Sequence, residues 1–95
     1  MVKHIVLFTV KANEDKDRAA RIAAEALEPL VGQIDGLVSC SVHRCFNGVD
    51  FALCTELESR EALANYAVHP LHQQAKDKFW DLLDGRVAAD YDFEV

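Results

Sequence analysis

Adjacent basic residues are absent from this sequence, and its cysteines are few and odd in number. The 95-residue chain carries ten Lys and Arg against sixteen Asp and Glu, and no two basic residues are neighbours. Without a basic patch, we expect no binding to nucleic acid or to an anionic membrane surface. No apolar run approaches the roughly 18 residues that cross a membrane. The N-terminal stretch lacks the long apolar region of a signal peptide, so none is expected.

Three cysteines, Cys40, Cys45 and Cys54, lie in apolar, strand-like stretches and form no C-x-x-C pair. An odd count without a pairing pattern indicates buried free thiols in a reducing compartment, so we expect a cytoplasmic protein. The four glycines are isolated from one another in the sequence, so no phosphate-binding loop is expected.

Hydrophobic periodicity predicts a single domain over residues 1–95, with four strands and two helical regions. The predicted strands cover residues 2–10, 37–46, 50–58 and 86–95. One helix is expected after a cap at Asn13, and a second after a cap at Ser59. The second helical region should break at His69-Pro70, restart, and end at Gly85.

The order strand, helix, strand, strand, helix, strand is that of ferredoxin-like split β-α-β folds, which belong to the α+β class. We expect a four-stranded antiparallel sheet whose second and third strands are joined by a hairpin turn at Asn47-Gly48. The first and third strands should be central because both of their faces are largely apolar. The mixed faces of the second strand are typical of an edge, and the fourth strand should form the other edge.

Two helical regions cover only one face of such a sheet. Five or six apolar side chains, among them Ile5 and Leu7, would then be exposed to water on the other face. Their exposure would lose roughly 8–15 kcal/mol of the stabilisation that burial provides. We therefore expect a homodimer in which two sheets pack face to face. On the last strand we expect an inward set and a water-facing set: Val87, Ala89, Tyr91, Phe93 and Val95 inward, and Arg86, Asp90, Asp92 and Glu94 toward water.

The stretch from Tyr66 to His72 places groups capable of chemistry beside a helix break. His72 should lie at the start of a helix, opposite His4, which sits on an otherwise apolar strand face. Two neutral imidazoles and a phenol can move a proton to and from a carbonyl compound near pH 7. The structural alternative is a buried His4 that is hydrogen-bonded to a backbone carbonyl or a tyrosine, which fixes one tautomer.

Two stretches of the sequence contain residue types that bind metal ions. His69 and His72 form an H-x-x-H motif, but no third ligand follows at close spacing, so no zinc site is expected. His69 should instead cap or pack at the helix break. Asp90, Asp92 and Glu94 alternate along one strand, where solvated carboxylates are expected and a weak Mg²⁺ or Ca²⁺ contact is the alternative.

Three stretches resemble the stress-responsive A/B barrel (Dabb) family in the same order and spacing. They are residues 2–8, residues 58–63 followed by 66–72, and residues 86–91. The resemblance implies a dimeric α+β barrel. A plant polyketide cyclase of this family uses one tyrosine and two histidines, which by matched position are Tyr66, His72 and His4. A further pocket histidine of that cyclase falls at about Phe51 here, which implies a more apolar pocket.

The leading hypothesis is a homodimer with one small apolar pocket per subunit for an aromatic or polyketide-like carbonyl compound. In it His72 is the acid/base, Tyr66 donates a hydrogen bond and His4 orients, without cofactor or metal. The expected pocket walls are Val6, Phe8, Phe51, Leu63, Phe79 and Trp80. The rival is a non-catalytic stress-responsive or structural dimer whose histidines only tie helix to sheet. A cofactor-free monooxygenase is a third hypothesis, supported by the fold alone.

Overall fold

Residues 1–94 are described by the structure, a computed structural model, and they form the predicted series of strands and helices. The strands and helices are β1 Val2–Val10, α1 Lys16–Leu27, β2 Leu37–Arg44, β3 Phe51–Leu57, α2 Arg60–Val68, α3 Pro70–Asp77 and β4 Leu83–Asp92. Short 3₁₀ turns at Glu28–Leu30 and Trp80–Leu82 follow α1 and α3. No helix within residues 1–94 has the length and apolar character needed to cross a membrane.

The four strands form one antiparallel sheet in the order β2-β3-β1-β4. The first and third strands are therefore central and the second and fourth are edges, as predicted. In the pairing register Val6 of β1 lies between Leu53 of β3 and Ala88 of β4. This register decides which side chains of β4 reach the site described below.

The helices pack on one face of the sheet and bury its apolar side chains there. Phe8 stacks on Phe51 with ring centroids 4.8 Å apart and meets the edge of Phe79 at 5.9 Å. Ala23 and Leu27 of α1 are buried in the same core. The three-four spacing of apolar residues predicted in α1 thus forms the helix side of a single core.

Side-chain caps explain where the helices begin. Asp15, rather than the predicted Asn13, caps α1 by accepting a 3.0 Å hydrogen bond from the Arg18 N–H. Ser59 caps α2 as predicted, accepting from the Ala62 N–H at 3.0 Å. His69 caps α3, because its Nδ1 accepts from the Leu71 N–H at 3.1 Å, which confirms the expected role at the helix break.

Strand β4 differs from its prediction in both extent and orientation. It begins at Leu83 rather than at residue 86, because α3 ends at Asp77 and a 3₁₀ turn follows. Val87, Ala89 and Tyr91 pair with Leu7, Ile5 and Lys3. They lie on the face that no helix of the subunit covers, where Val87 is 66% exposed.

Within the subunit, the expectation that this alternating set faces inward is therefore not met. Arg86 and Asp90 lie instead on the helix side of the sheet, opposite Phe8 and His4. The physical reason is that the helix side of β4 borders a cavity with a polar mouth and not the apolar core. Phe93 follows β4 and donates its N–H to the Met1 carbonyl at 3.0 Å. Val95, assigned to the same set, lies outside the described residues.

Candidate functional site

A cavity of about 190 Å³ lies between the helices and the sheet. Its walls include all three residues expected to carry chemistry, His4, Tyr66 and His72. Five of the six expected apolar wall residues also line it: Val6, Phe8, Leu63, Phe79 and Trp80. Phe51 does not line it, because its fully buried ring lies in the core, stacked on Phe8.

A polar row crosses the helix side of the sheet beneath α2. By register Cys40 of β2 pairs with Thr55 of β3, Thr55 with His4 of β1, and His4 with Asp90 of β4. The next row along the strands consists of Val42, Leu53, Val6 and Ala88. The row containing His4 is therefore more polar than this next row, and His4 is its member that lines the cavity and forms the polar floor of the site.

His4 and Asp90 are joined by a hydrogen bond between Nδ1 and Oδ1. Because a carboxylate only accepts, the hydrogen lies on Nδ1, and Nε2 is the ring nitrogen left for another partner. Asp90 thus orients His4 by a side-chain contact, where the structural alternative expected a backbone carbonyl or a tyrosine. The Tyr66 ring meets His4 edge-on, with centroids 6.4 Å apart.

Tyr66 stands on the buried side of α2 and is 1% exposed. Its hydroxyl and that of Thr55 are buried and make no hydrogen bond of normal geometry within residues 1–94. Burial raises the pKa of Tyr66 well above its usual range, the nearby Cys40 thiol adds to the rise, and the Thr55 hydroxyl opposes it. The phenol therefore stays protonated, and it is a donor that no residue within 1–94 engages in a hydrogen bond of normal geometry.

His72 lies on the first turns of α3, with its ring 4.2 Å from that of Tyr66, centroid to centroid. Its Nδ1 is 3.3 Å from the carbonyl oxygen of Ala67, which can only accept, so Nδ1 carries the hydrogen and Nε2 the lone pair. Burial lowers the pKa of His72 below its usual value, and the charges of Lys76 and Arg86 add to this. A neutral imidazole with a free Nε2 is a proton acceptor.

Sequence reasoning does not identify five further residues that line the cavity, the basic Lys76 and Arg86 and the apolar Leu27, Leu53 and Ala67. Lys76 follows His72 by one helical turn, and this i, i+4 spacing was the signal that could have found it. No local spacing in the sequence indicates Arg86, because it reaches the cavity through the pairing of β4 with β1, in which it lies opposite Phe8. Trp80 lies close to both basic side chains.

Among the carboxylates and thiols that raised other possibilities, Asp90 and Asp92 have side-chain partners and the Cys40 thiol is shielded by burial. Asp90 bonds His4, Asp92 bonds the Arg60 guanidinium, and no group of three His, Cys, Asp or Glu within residues 1–94 could hold a metal ion. The three cysteines are free and half-buried. Burial raises the pKa of Cys40 to about 11, so this thiol is not a nucleophile near neutral pH.

The sequence model of the stress responsive A/B barrel domain matches residues 2–93 of this chain. The Streptomyces coelicolor protein SCO4036 is 33% identical over 98 residues, which cover 98% of this chain and 100% of that protein. The match of the domain model confirms the resemblance that the three sequence stretches indicated.

Solved structures share the fold over nearly the whole chain. A Bacteroides fragilis protein, described as dimeric and ferredoxin-like, superposes with a TM-score of 0.87 at 28% identity and covers 97% of this chain and 95% of its own. The Arabidopsis thaliana protein At3g17210 gives a TM-score of 0.84 at 23% identity, covering 100% and 97%. The predicted ferredoxin-like α+β fold is confirmed.

Proposed function

The chain belongs to the stress responsive A/B barrel domain family, and from that membership and the cavity we propose a homodimer that binds a small aromatic or polyketide-like carbonyl compound in each subunit. The observation that carries the proposal is the convergence of His4, Tyr66 and His72 on one otherwise largely apolar cavity. Such a cavity with a few convergent polar groups is the usual form of a small-molecule site.

The polar groups of the site suit cofactor-free proton transfer next to a carbonyl. Nε2 of His72 takes a proton from the carbon beside the carbonyl, and the Tyr66 hydroxyl donates a hydrogen bond to the enolate oxygen that forms. His72 then returns the proton after a new bond or a new double-bond position is set. Cyclisation, aldol-type condensation and isomerisation all follow this sequence and balance without an oxidant.

His4 is the orienting residue in this proposal. The Asp90 carboxylate holds its Nδ1–H, which fixes the ring in one tautomer with Nε2 available to a ligand. In this pair Asp90 is the group that orients the imidazole of His4. The acid/base role is assigned to His72, because burial lowers the pKa of its imidazole and keeps it neutral, and its ring lies 4.2 Å from that of Tyr66, the proposed hydrogen-bond donor.

The dimer rests on the sheet face that no helix covers. Ile5, Leu7, Val87 and Ala89 share that face, and Leu7 is 38% exposed in the single subunit. Packing two such faces together would remove these side chains from water. The dimeric description of the Bacteroides fragilis protein supports a homodimer.

The rival, a non-catalytic dimer, predicts that the histidines serve packing alone. A neutral probe, 4-acetylbenzamide, separates the two hypotheses. We expect it to perturb the amide NMR signals around the cavity, and we expect the protein to accelerate exchange of the acetyl hydrogens for deuterium in D₂O. His72→Gln should remove the acceleration, on the order of 10²–10⁴-fold for a lost general base, and Tyr66→Phe should weaken binding.

Matched controls exist for both variants. His43 is exposed on the edge strand β2, and Tyr91 is 48% exposed on the uncovered sheet face, so both lie away from the cavity walls. His43→Gln and Tyr91→Phe should leave binding and exchange at the wild-type level. If the wild-type protein neither binds the probe nor speeds the exchange, the structural dimer is the better account.

A further inference from the structure

Two basic side chains converge on the aromatic residue at the mouth of the cavity. The Lys76 Nζ lies 4.5 Å from the centroid of the Trp80 ring, and the Arg86 guanidinium carbon lies 5.8 Å from the same centroid. Lys76 comes from α3 and Arg86 from β4, and all three residues line the cavity. The mouth is therefore flanked by cations from opposite walls.

Neither cation forms an ion pair with a carboxylate within residues 1–94. Asp81 and Asp84 line a neighbouring depression together with Arg86, yet neither lies within 4.0 Å of its guanidinium nitrogens. Asp90 bonds His4, and no carboxylate within residues 1–94 is among the residues that line the cavity. The two cations at the mouth therefore have no close anionic partner in the described part of the chain.

The positive charges of Lys76 and Arg86 affect a titratable group inside the cavity. Both lower the pKa of His72, whose ring lines the same space. The chain as a whole has a formal net charge of -6, so its overall field repels anions. A local pair of cations that opposes the overall charge favours an anionic group at the mouth over a neutral one.

We propose that the ligand of this cavity is a single-ring aromatic carboxylate, with its ring against Phe8, Tyr66 and Phe79 and its carboxylate between Lys76 and Arg86. The inference rests on the proposed function, because it names the ligand class of the same cavity. The cavity, at about 190 Å³, is smaller than the 300–1,000 Å³ of sites for drug-sized ligands, which limits the ligand to about one ring. Guanidinium and ammonium groups bind carboxylates by charge-assisted hydrogen bonds.

A pair of probes that differ only in charge tests this inference. 4-Acetylbenzoate and 4-acetylbenzamide have the same ring and acetyl group, and their dissociation constants can be measured by NMR titration at low salt. We expect the carboxylate to bind roughly tenfold more tightly than the amide. Lys76→Gln and Arg86→Gln should each reduce that preference by about threefold, and 1 M salt should reduce it further.

Exposed basic residues outside the cavity supply matched controls. Lys78→Gln and Arg21→Gln make the same changes of net charge on α3's end and on α1, away from the cavity walls. The preference should be unchanged in both. Equal binding of the two probes, or equal losses in the cavity and control variants, overturns the anionic ligand but leaves the proposed function standing. Binding of neither probe overturns both.

Discussion

His4 and Asp90, which are 86 residues apart in the chain, form a histidine–carboxylate pair at the floor of the cavity. They are directly opposite each other because β1 and β4 are neighbouring antiparallel strands. The Asp90 carboxylate is 46% exposed and the His4 ring is 14% exposed, so the pair links a solvent-facing acceptor to a ring inside the site. The carboxylate thereby selects one tautomer of His4.

Removal of the Asp90 carboxylate should allow the His4 ring to adopt both of its neutral tautomers. In the wild-type protein at pH 8 we expect His4 to carry its hydrogen on Nδ1, and in Asp90→Ala we expect a mixture of both tautomers. Long-range ¹H–¹⁵N correlation spectra of the ring distinguish the two states. Asp92→Ala is the matched control, because Asp92 lies two residues further along and bonds Arg60 instead. Identical His4 spectra in wild type and Asp90→Ala would mean that packing alone fixes the ring.

His72 should make the stability of the fold depend on pH in a defined direction. Burial holds its pKa below the unfolded value of 6.5, with Lys76, His4 and Arg86 acting in the same sense and the Ala67 carbonyl opposing them. Between the folded and unfolded pKa values the unfolded chain binds more protons, so the free energy of unfolding falls as pH drops below about 6.5. Because His72 is half-buried, solvent screening should keep the loss below about 1 kcal/mol.

Urea denaturation at pH 7.5 and pH 5.5 measures this loss. His72→Gln should show a smaller decrease between the two pH values than the wild type, since it lacks the titrating ring. His43→Gln, at an exposed position on β2, should keep the wild-type decrease. A decrease in His72→Gln as large as that of the wild type would contradict the assignment to His72.

Two substitutions at Tyr66 should distinguish the contribution of its ring to stability from that of its hydroxyl. Because its hydroxyl makes no hydrogen bond of normal geometry within residues 1–94, Tyr66→Phe should change the free energy of unfolding by less than about 1 kcal/mol. Tyr66→Ala removes a buried ring and should cost roughly 3–5 kcal/mol. Chemical denaturation of both variants tests this, and a loss above about 2 kcal/mol in Tyr66→Phe would show that the hydroxyl has a protein partner.

The sequence predicted the fold well because hydrophobic periodicity depends on local spacing. The two-faced apolar pattern of β1 and β3 identified the central strands, and Ser59 and His69 identified two helix caps. The strand order then followed from chain topology. These features need no knowledge of which residues meet across the sheet.

The floor and mouth of the site could not be predicted in the same way. The pairing of His4 with Asp90, and of Phe8 with Arg86, depends on strand register over more than seventy residues of intervening chain. Alternation along β4 was visible, but not which face would meet the helices. Because the covered face of a strand is usually apolar, the alternation alone predicts that the apolar set faces inward. In β4 that covered face instead borders a cavity with a polar mouth.

Charged substitutions on the uncovered face of the sheet should dissociate the proposed dimer. Leu7 and Val87 are directly opposite each other on β1 and β4, and both are exposed in the single subunit. In a face-to-face dimer each would enter the interface, and a lysine there would be buried without a partner, which costs several kcal/mol per charge. We expect Leu7→Lys and Val87→Lys to shift the protein from dimer to monomer at micromolar concentration in sedimentation velocity. Val68→Lys, at a 75% exposed position on α2, should remain dimeric, because that helix lies on the other side of the sheet. A wild-type monomer under the same conditions would refute the proposed dimer, and the apolar side chains of this face would then be exposed to water.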